Sequence, residues 1–495
     1  MRRPLPLLLL LAACTPGEPI DEPPPDPVLA EGVDLGPVLA CDDPVEGSDR
    51  LSEEASTRGL TADQTPPTTL GQPAGSLGGG LIVEDLDDDG DLDVLSVQIT
   101  GELHLYRNDG SAHFDLLPSS SGPTANNAVA QGALDLDGDG LPELLTGNLG
   151  SLTIAPNLGG LTFGERRVAY RPPGQPTSQG TTLSWGDVDG DGDLDLILPT
   201  LLLIDQPPGE PDVGAVDALL INEDGDFSLG AELSSGGDVP GMTFLALFTD
   251  RDLDGDMDLF VGSEGGHYGL PPNAFWRNDG VVEGEAVLVN DAVDVGADLL
   301  MSAMGVASRD LNDDGRPDYC ITDLGPLRCL LSQGEGWVEG GAALGLVPDW
   351  EGDLMLWSVE IEDLDNDGRP EAFAAGGLPG PSNTSVDLSQ QKDVLWWAGP
   401  GGYEDVSEAV GFDDRAEHYG LAAGDLDGDG ALDIVIVGSE GKPKLWMNRC
   451  SSGAWLEVRL EGPPDNGKGY GARVEAVVGD RRIPREVLGP RAYGQ

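Results

Sequence analysis

The side chains best placed to do chemistry are carboxylates. Between Asp85 and Asp93 six of nine residues are aspartate. Like charges this close repel, so their order carries information. Asp85, Asp87 and Asp89 alternate, Gly90 follows, and Asp93 completes a D-x-D-x-D-G-x-x-D spacing. That spacing wraps side-chain oxygens around one hard cation. Calcium takes six to eight oxygen ligands, and a glycine at the sixth position permits the sharp turn. Asp91, at the seventh position, would offer its backbone carbonyl.

A single copy would read as a solvated acidic loop. The motif instead occurs seven times, which such a loop does not explain. The further ligand sets are Asp135, Asp137, Asp139 and Glu143; Asp187, Asp189, Asp191 and Asp195; and Asp250, Asp252, Asp254 and Asp258. Then come Asp310, Asn312, Asp314 and Asp318; Asp363, Asp365, Asp367 and Glu371; and Asp425, Asp427, Asp429 and Asp433. The copies start 50, 52, 63, 60, 53 and 62 residues apart. Up to seven structural Ca²⁺ ions are therefore expected.

The same loop opens an EF-hand, which also needs a glutamate at position twelve and a helix on each side. Position twelve here is Ser96, Thr146, Leu198, Val261, Ile321, Ala374 or Ile436. The flanks, such as "LDVLSV" and "LDIVIVG", are short, apolar and β-branched, as strands are. Each loop thus reads as a hairpin turn between two strands. A second strand–turn–strand follows each one, as in "ELHLYRNDGSAHFDLL". The unit has four strands, A to D, with the acidic turn between A and B. Seven such units predict an all-β fold, a seven-bladed β-propeller. Glycine and alanine in many inner strands suit a crowded central channel.

These units resemble FG-GAP (VCBS-type) repeats, the blades of the integrin α-subunit propeller. They are closer still to the cartilage acidic protein family in its bacterial form. The resemblance spans 45–450. Residues 451–495 are similar to part of the UnbV-type domain that follows the propeller there, through "WLEVRLEG", "GYGARVEA" and "REVLG". That domain normally continues further, so a small, incomplete β-rich domain is expected. The last unit has no obvious D strand. "SDRLSEEASTRGL" (48–60) resembles the D-strand text "YEDVSEAVGF" (403–412), so residues near 48–56 are expected to close the ring.

Residues 1–13 read as a secretion signal, with two arginines before an apolar run too short to span a bilayer. Leu11 to Cys14 resembles a bacterial lipobox, which implies cleavage before Cys14 and its lipidation. Thr15 is not the aspartate that holds lipoproteins at the inner membrane, so the outer membrane or cell surface is expected. The acidic, proline-rich stretch 14–44 would be a tether.

Net charge is −63, from 89 acids and 26 bases. Seven calcium ions would bring +14 and leave −49, so calcium accounts for only part of the acidity. No basic stripe exists for nucleic acid or anionic headgroups, and the lipid anchor would be the one membrane contact. No nucleophile elbow, phosphate loop or zinc spacing is present. His267 and His418 each precede a tyrosine and read as loop residues. The chain therefore reads as a calcium-stabilised binding or scaffold module without catalytic residues. A calcium-dependent hydrolase of phosphate esters or polysaccharide is the alternative.

The long insertions, about 204–214, 263–272 and 377–392, all fall between B and C strands. Loops on a rigid scaffold tend to carry function. The resemblance to integrins likewise implies a ligand on the face opposite the calcium hairpins, the B–C and D–A face. A protein, a polysaccharide or a second copy could fill that role. Among the cysteines, Cys320 and Cys329 flank the turn "DLGP" and are expected to bond across a hairpin. Cys41 and Cys450 remain, and their bond would lock the ring; two free buried thiols are the alternative.

Overall fold

The computed structural model describes residues 9–11, 50–64, 80–98, 102–118, 130–148, 151–171, 178–180, 182–203, 216–234, 241–264, 271–347, 354–377, 391–439, 441–449, 453–479 and 481–490. Seven four-stranded antiparallel sheets form in chain order. The first is Gly80–Glu84, Asp93–Val97, Leu103–Asn108 and Phe114–Leu116, strands A to D. The inner A strands of the later blades are Ala130–Leu134, Ser184–Gly186, Thr243–Thr249, Val306–Arg309, Leu356–Glu362 and His418–Gly424. Inner strands of neighbouring blades meet, so the sheets stand radially about a channel. The molecule is a seven-bladed β-propeller.

The ring closes across the chain termini. Leu51–Glu53 pairs antiparallel with Lys444–Asn448 and is the D strand of the seventh blade, as the text of residues 48–60 predicts. Closed in this way, the first and last blades share a core. Leu81, Val94 and Tyr106 pack with Val435, Leu445 and Met447. Each B strand is apolar on both sides because a blade faces a neighbour on each; Asp93–Val97 and Asp258–Ser263 are buried along their whole length. Blades four and five are joined by Phe260, Phe275, Tyr319 and Trp337, whose rings lie 5.4–6.3 Å apart. Each such aromatic contributes about 1.5–3 kcal/mol through burial.

Inner-strand glycines make room for large residues of the next blade. A Cβ at Gly132 would lie 2.6 Å from Trp185, and one at Gly186 2.8 Å from Phe248. One feature was not expected from the sequence. Three D strands run into single helical turns, Ala292–Val295, Gly341–Leu344 and Ser407–Val410, each ended by a left-handed glycine.

The tail holds one hairpin, Arg473–Val478 with Arg481–Glu486, and a 3₁₀ turn at Pro464–Asn466. It lies on the face that carries the A–B turns. Tyr470 packs edge-on to Trp185 of the third inner strand, centroids 5.6 Å apart. Leu9–Leu11 runs parallel to Arg473–Val478. Cys14, Cys41, Cys450, His267, the whole tether and most of the three insertions lie outside the described residues. Cys320 and Cys329 stand opposite each other in register, Cα atoms 4.0 Å apart, and are disulfide-bonded.

Candidate metal centres

All 28 expected ligand residues lie in the seven A–B turns, and every B strand opens on the ninth one. The turns share one backbone design. The first carboxylate folds the turn around itself: Asp85 accepts the N–H groups of Asp89 (3.2 Å) and Gly90 (2.9 Å). Asp187, Asp250, Asp310, Asp363 and Asp425 accept from the same two positions. Asp135 uses Gly138 and Gly140. The sixth-position glycine is left-handed throughout, from φ 83° at Gly315 to 105° at Gly192. The fourth position is left-handed too, even where it is Asp88, Leu253, Asp313 or Asn366 (φ 57–66°). Side chains rarely adopt that region, so the hydrogen-bonded turn must hold them there.

The ninth carboxylate has a role the spacing did not reveal. Asp93 accepts the N–H of Leu86 in its own loop and of Asn108 at the end of strand C. Glu143, Asp195, Asp258, Asp318, Glu371 and Asp433 make the corresponding pair of bonds. This residue therefore locks the loop onto the blade whether or not it also ligates. Asparagines at the end of strand C were likewise missed. Asn108, Asn157, Asn278 and Asn448 each donate to a carbonyl in their own loop and to one in the preceding blade's loop. The signal was present, as in "RND", "WRND" and "MNR", but asparagine before a turn has a local explanation that hides the second contact.

The loops gather oxygens that lack partners. The first, third and ninth carboxylates lie within 4.8 Å of one another in the loops of Asp85, Asp135, Asp187 and Asp363; in the fourth loop the group is Asp250, Asp252 and Asp254. Asp89, Asp139, Asp191 and Asp367 stand outside these groups, each accepting the N–H of the seventh position. The Oδ1 atoms of Asp87, Asp252 and Asp427 are buried with no hydrogen bond. Burial pushes Asp93, Asp195 and Asp258 up to about 7 and Asp433 to about 8. A cation in the loop would supply the missing partner and reverse that shift. The residues present therefore fit a hard cation held by oxygen. The fifth loop departs from the rest. Its third position is Asn312, whose amide nitrogen donates to Ser332 and, at 3.4 Å, to Asp318.

The histidine reading needs correction. His418 is no loop residue: it opens the inner strand of blade seven and is buried, with Nδ1 2.7 Å from Asp393. Burial alone would lower its pKa, but the Asp393 carboxylate and then Asp414 raise it. The sequence separates the pair by 25 residues across the sixth insertion, so no local pattern could have joined them.

Four stretches, 85–146, 135–198, 310–374 and 363–436, match the model of the FG-GAP-like repeat. Residues 85–198 and 310–436 read as FG-GAP-like repeats. Each matched stretch runs from the first aspartate of one loop to the twelfth position of the next. No curated protein matches the chain. Among solved structures, BBS1N in complex with ARL6DN is 10% identical, covering 79% of this chain and 98% of that one, with a TM-score of 0.44. An Agrocybe aegerita lectin that recognises non-reducing terminal N-acetylglucosamine is 14% identical over 79% and 88%, TM-score 0.32. A mutant of AofleA from Arthrobotrys oligospora is 10% identical over 67% and 86%, TM-score 0.37.

Proposed function

We propose that the FG-GAP propeller is a calcium-stabilised binding scaffold, exported and held at the cell surface by a lipid on Cys14. The observation that carries this reading is the ring of acidic loops, in which buried carboxylate oxygens stand without partners. Calcium suits such a site better than magnesium, because the ligands are many and all oxygen, whereas magnesium demands a smaller, near-ideal octahedral site. The ion would have a structural role: each loop joins strands A and B, and its ninth residue ties strand C to them. The partner site is assigned to the opposite face, where the B–C and D–A connections lie, because the tail already covers the loop face.

Titration calorimetry with calcium tests the ion. Several equivalents should bind, up to seven, and Asp187→Ala should remove one; no binding would end the reading. Shortening 204–214, 263–272 and 377–392 to tight turns tests the face. Folding should persist while cross-linking to a surface partner on intact cells disappears. Unchanged cross-linking would move the site elsewhere.

A further inference from the structure

The tail rests on the outer backbone of the loops. Trp455 lies on Gly430 so closely that no side chain fits there, and Pro464 packs on Gly138, where a Cβ would fall 2.8 Å away. Gly453 sits against the carbonyl of Asn366 in the same way. Arg473 donates to the Gly315 carbonyl, and Arg481 pairs with Asp313 at 3.5 Å. Glu486 accepts from the Asp250 N–H at 3.1 Å and from Thr249 at 3.0 Å. These contacts reach five different loops, mostly at the fourth and sixth positions. Those positions are the left-handed ones, whose placement depends on the turn being fully wound. None of the contacts occupies a carboxylate oxygen of the first, third, fifth or ninth position. These contacts read the shape of the loops, while Arg459 and Arg485 add positive charge near Asp85, Asp310 and Asp363. Beneath it lies a cavity of about 280 Å³ at the end of the channel, lined by Glu84, Trp185, Glu360, Tyr470 and Leu488.

We propose that residues 453–490 form a cap whose docking is coupled to cation occupancy: loaded loops hold the cap, and emptied loops release it and open that mouth of the channel. The proposal rests on the reading of the loops as calcium sites. The physical cause is mutual repulsion. Three or four carboxylates in one turn push it open when no cation is present, and a seat built from five turns is lost when they loosen. Coupling between two binding events is reciprocal, so unseating the cap must weaken calcium binding by the same factor.

Hydrogen exchange on the full chain, with calcium and then with a chelator, tests this. Amides of 473–486 should exchange at least tenfold faster on chelation, while those of 93–97 and 258–263 remain protected. Equal tail exchange in both conditions overturns the coupling, as does tail and strand exchange rising together, which would be global unfolding. Trp455→Ala in the full chain should weaken calcium binding several-fold by calorimetry; unchanged affinity overturns the proposal while leaving the calcium reading intact. Absence of calcium binding by the unmodified chain overturns both.

Discussion

The loop face of the propeller repeats its side chains, and the opposite face repeats only a backbone requirement. On the loop face the ninth carboxylate makes the same two bonds in all seven blades. On the other face a residue at the start of strand C accepts an N–H from the end of strand B, but its identity changes. It is Asp217 for Thr200, Asn273 for Ser263 and Asp393 for Gly376. Its second partner changes as well, Thr243 for Asp217 and His418 for Asp393. The difference separates two tasks. Repeated side chains carry the stability of the ring, so the other end is free to vary in sequence and length.

The comparison is broken most directly at the loop face. Asp433→Ala leaves the buried N–H groups of Leu426 and Asn448 without an acceptor. At about 1–3 kcal/mol for each orphaned donor, urea unfolding should show a loss of about 2–6 kcal/mol. A loss below about 1 kcal/mol would mean the ninth residue is no keystone.

Asp217 sharpens the contrast from the opposite face. Burial pushes its carboxyl up to about 7. The native state then holds this proton more tightly than the unfolded chain, so its contribution to stability falls as pH rises from about 4 to 7. Asp217→Asn stays neutral and should remove that fall, with a gain on the order of a few kcal/mol at pH 8 relative to pH 4. Melting curves at several pH values, at saturating calcium, should show the two proteins diverging upward in pH; parallel curves would refute the assignment. A smaller effect is expected from Asn157→Ala, which removes bonds to Leu86 of the first loop and Pro142 of its own. Equilibrium unfolding should register about 1–3 kcal/mol.

The loops and the ring closure were legible in the sequence because both are local patterns repeated at a domain-scale period. "YEDVSEAVGF" could announce what "DRLSEEASTRGL" does only because another blade had already spelled it out. The cross-hairpin position of Cys320 and Cys329 followed from counting around one turn. What stayed hidden joins distant segments. The Asp393–His418 pair crosses an insertion, and Asn448 reaches Leu364 in the neighbouring blade. The tail's seat depends on the spatial order of five turns, which no window of sequence contains. The fourth-position left-handed turn was obscured for another reason: Leu253 and Asn366 give no glycine to mark it.

The central claim is that cations hold the loop face together, and scanning calorimetry with and without a chelator tests it most directly. Extracellular calcium modules bind with dissociation constants of about 0.1–1 mM. At roughly 1 mM calcium each site then adds about 0.4–1.4 kcal/mol, and seven independent sites on the order of 3–10 kcal/mol. Chelation should lower Tm sharply, calcium should restore it, and magnesium should restore it poorly. A Tm indifferent to calcium would show that the seven loops are acidic turns and nothing more.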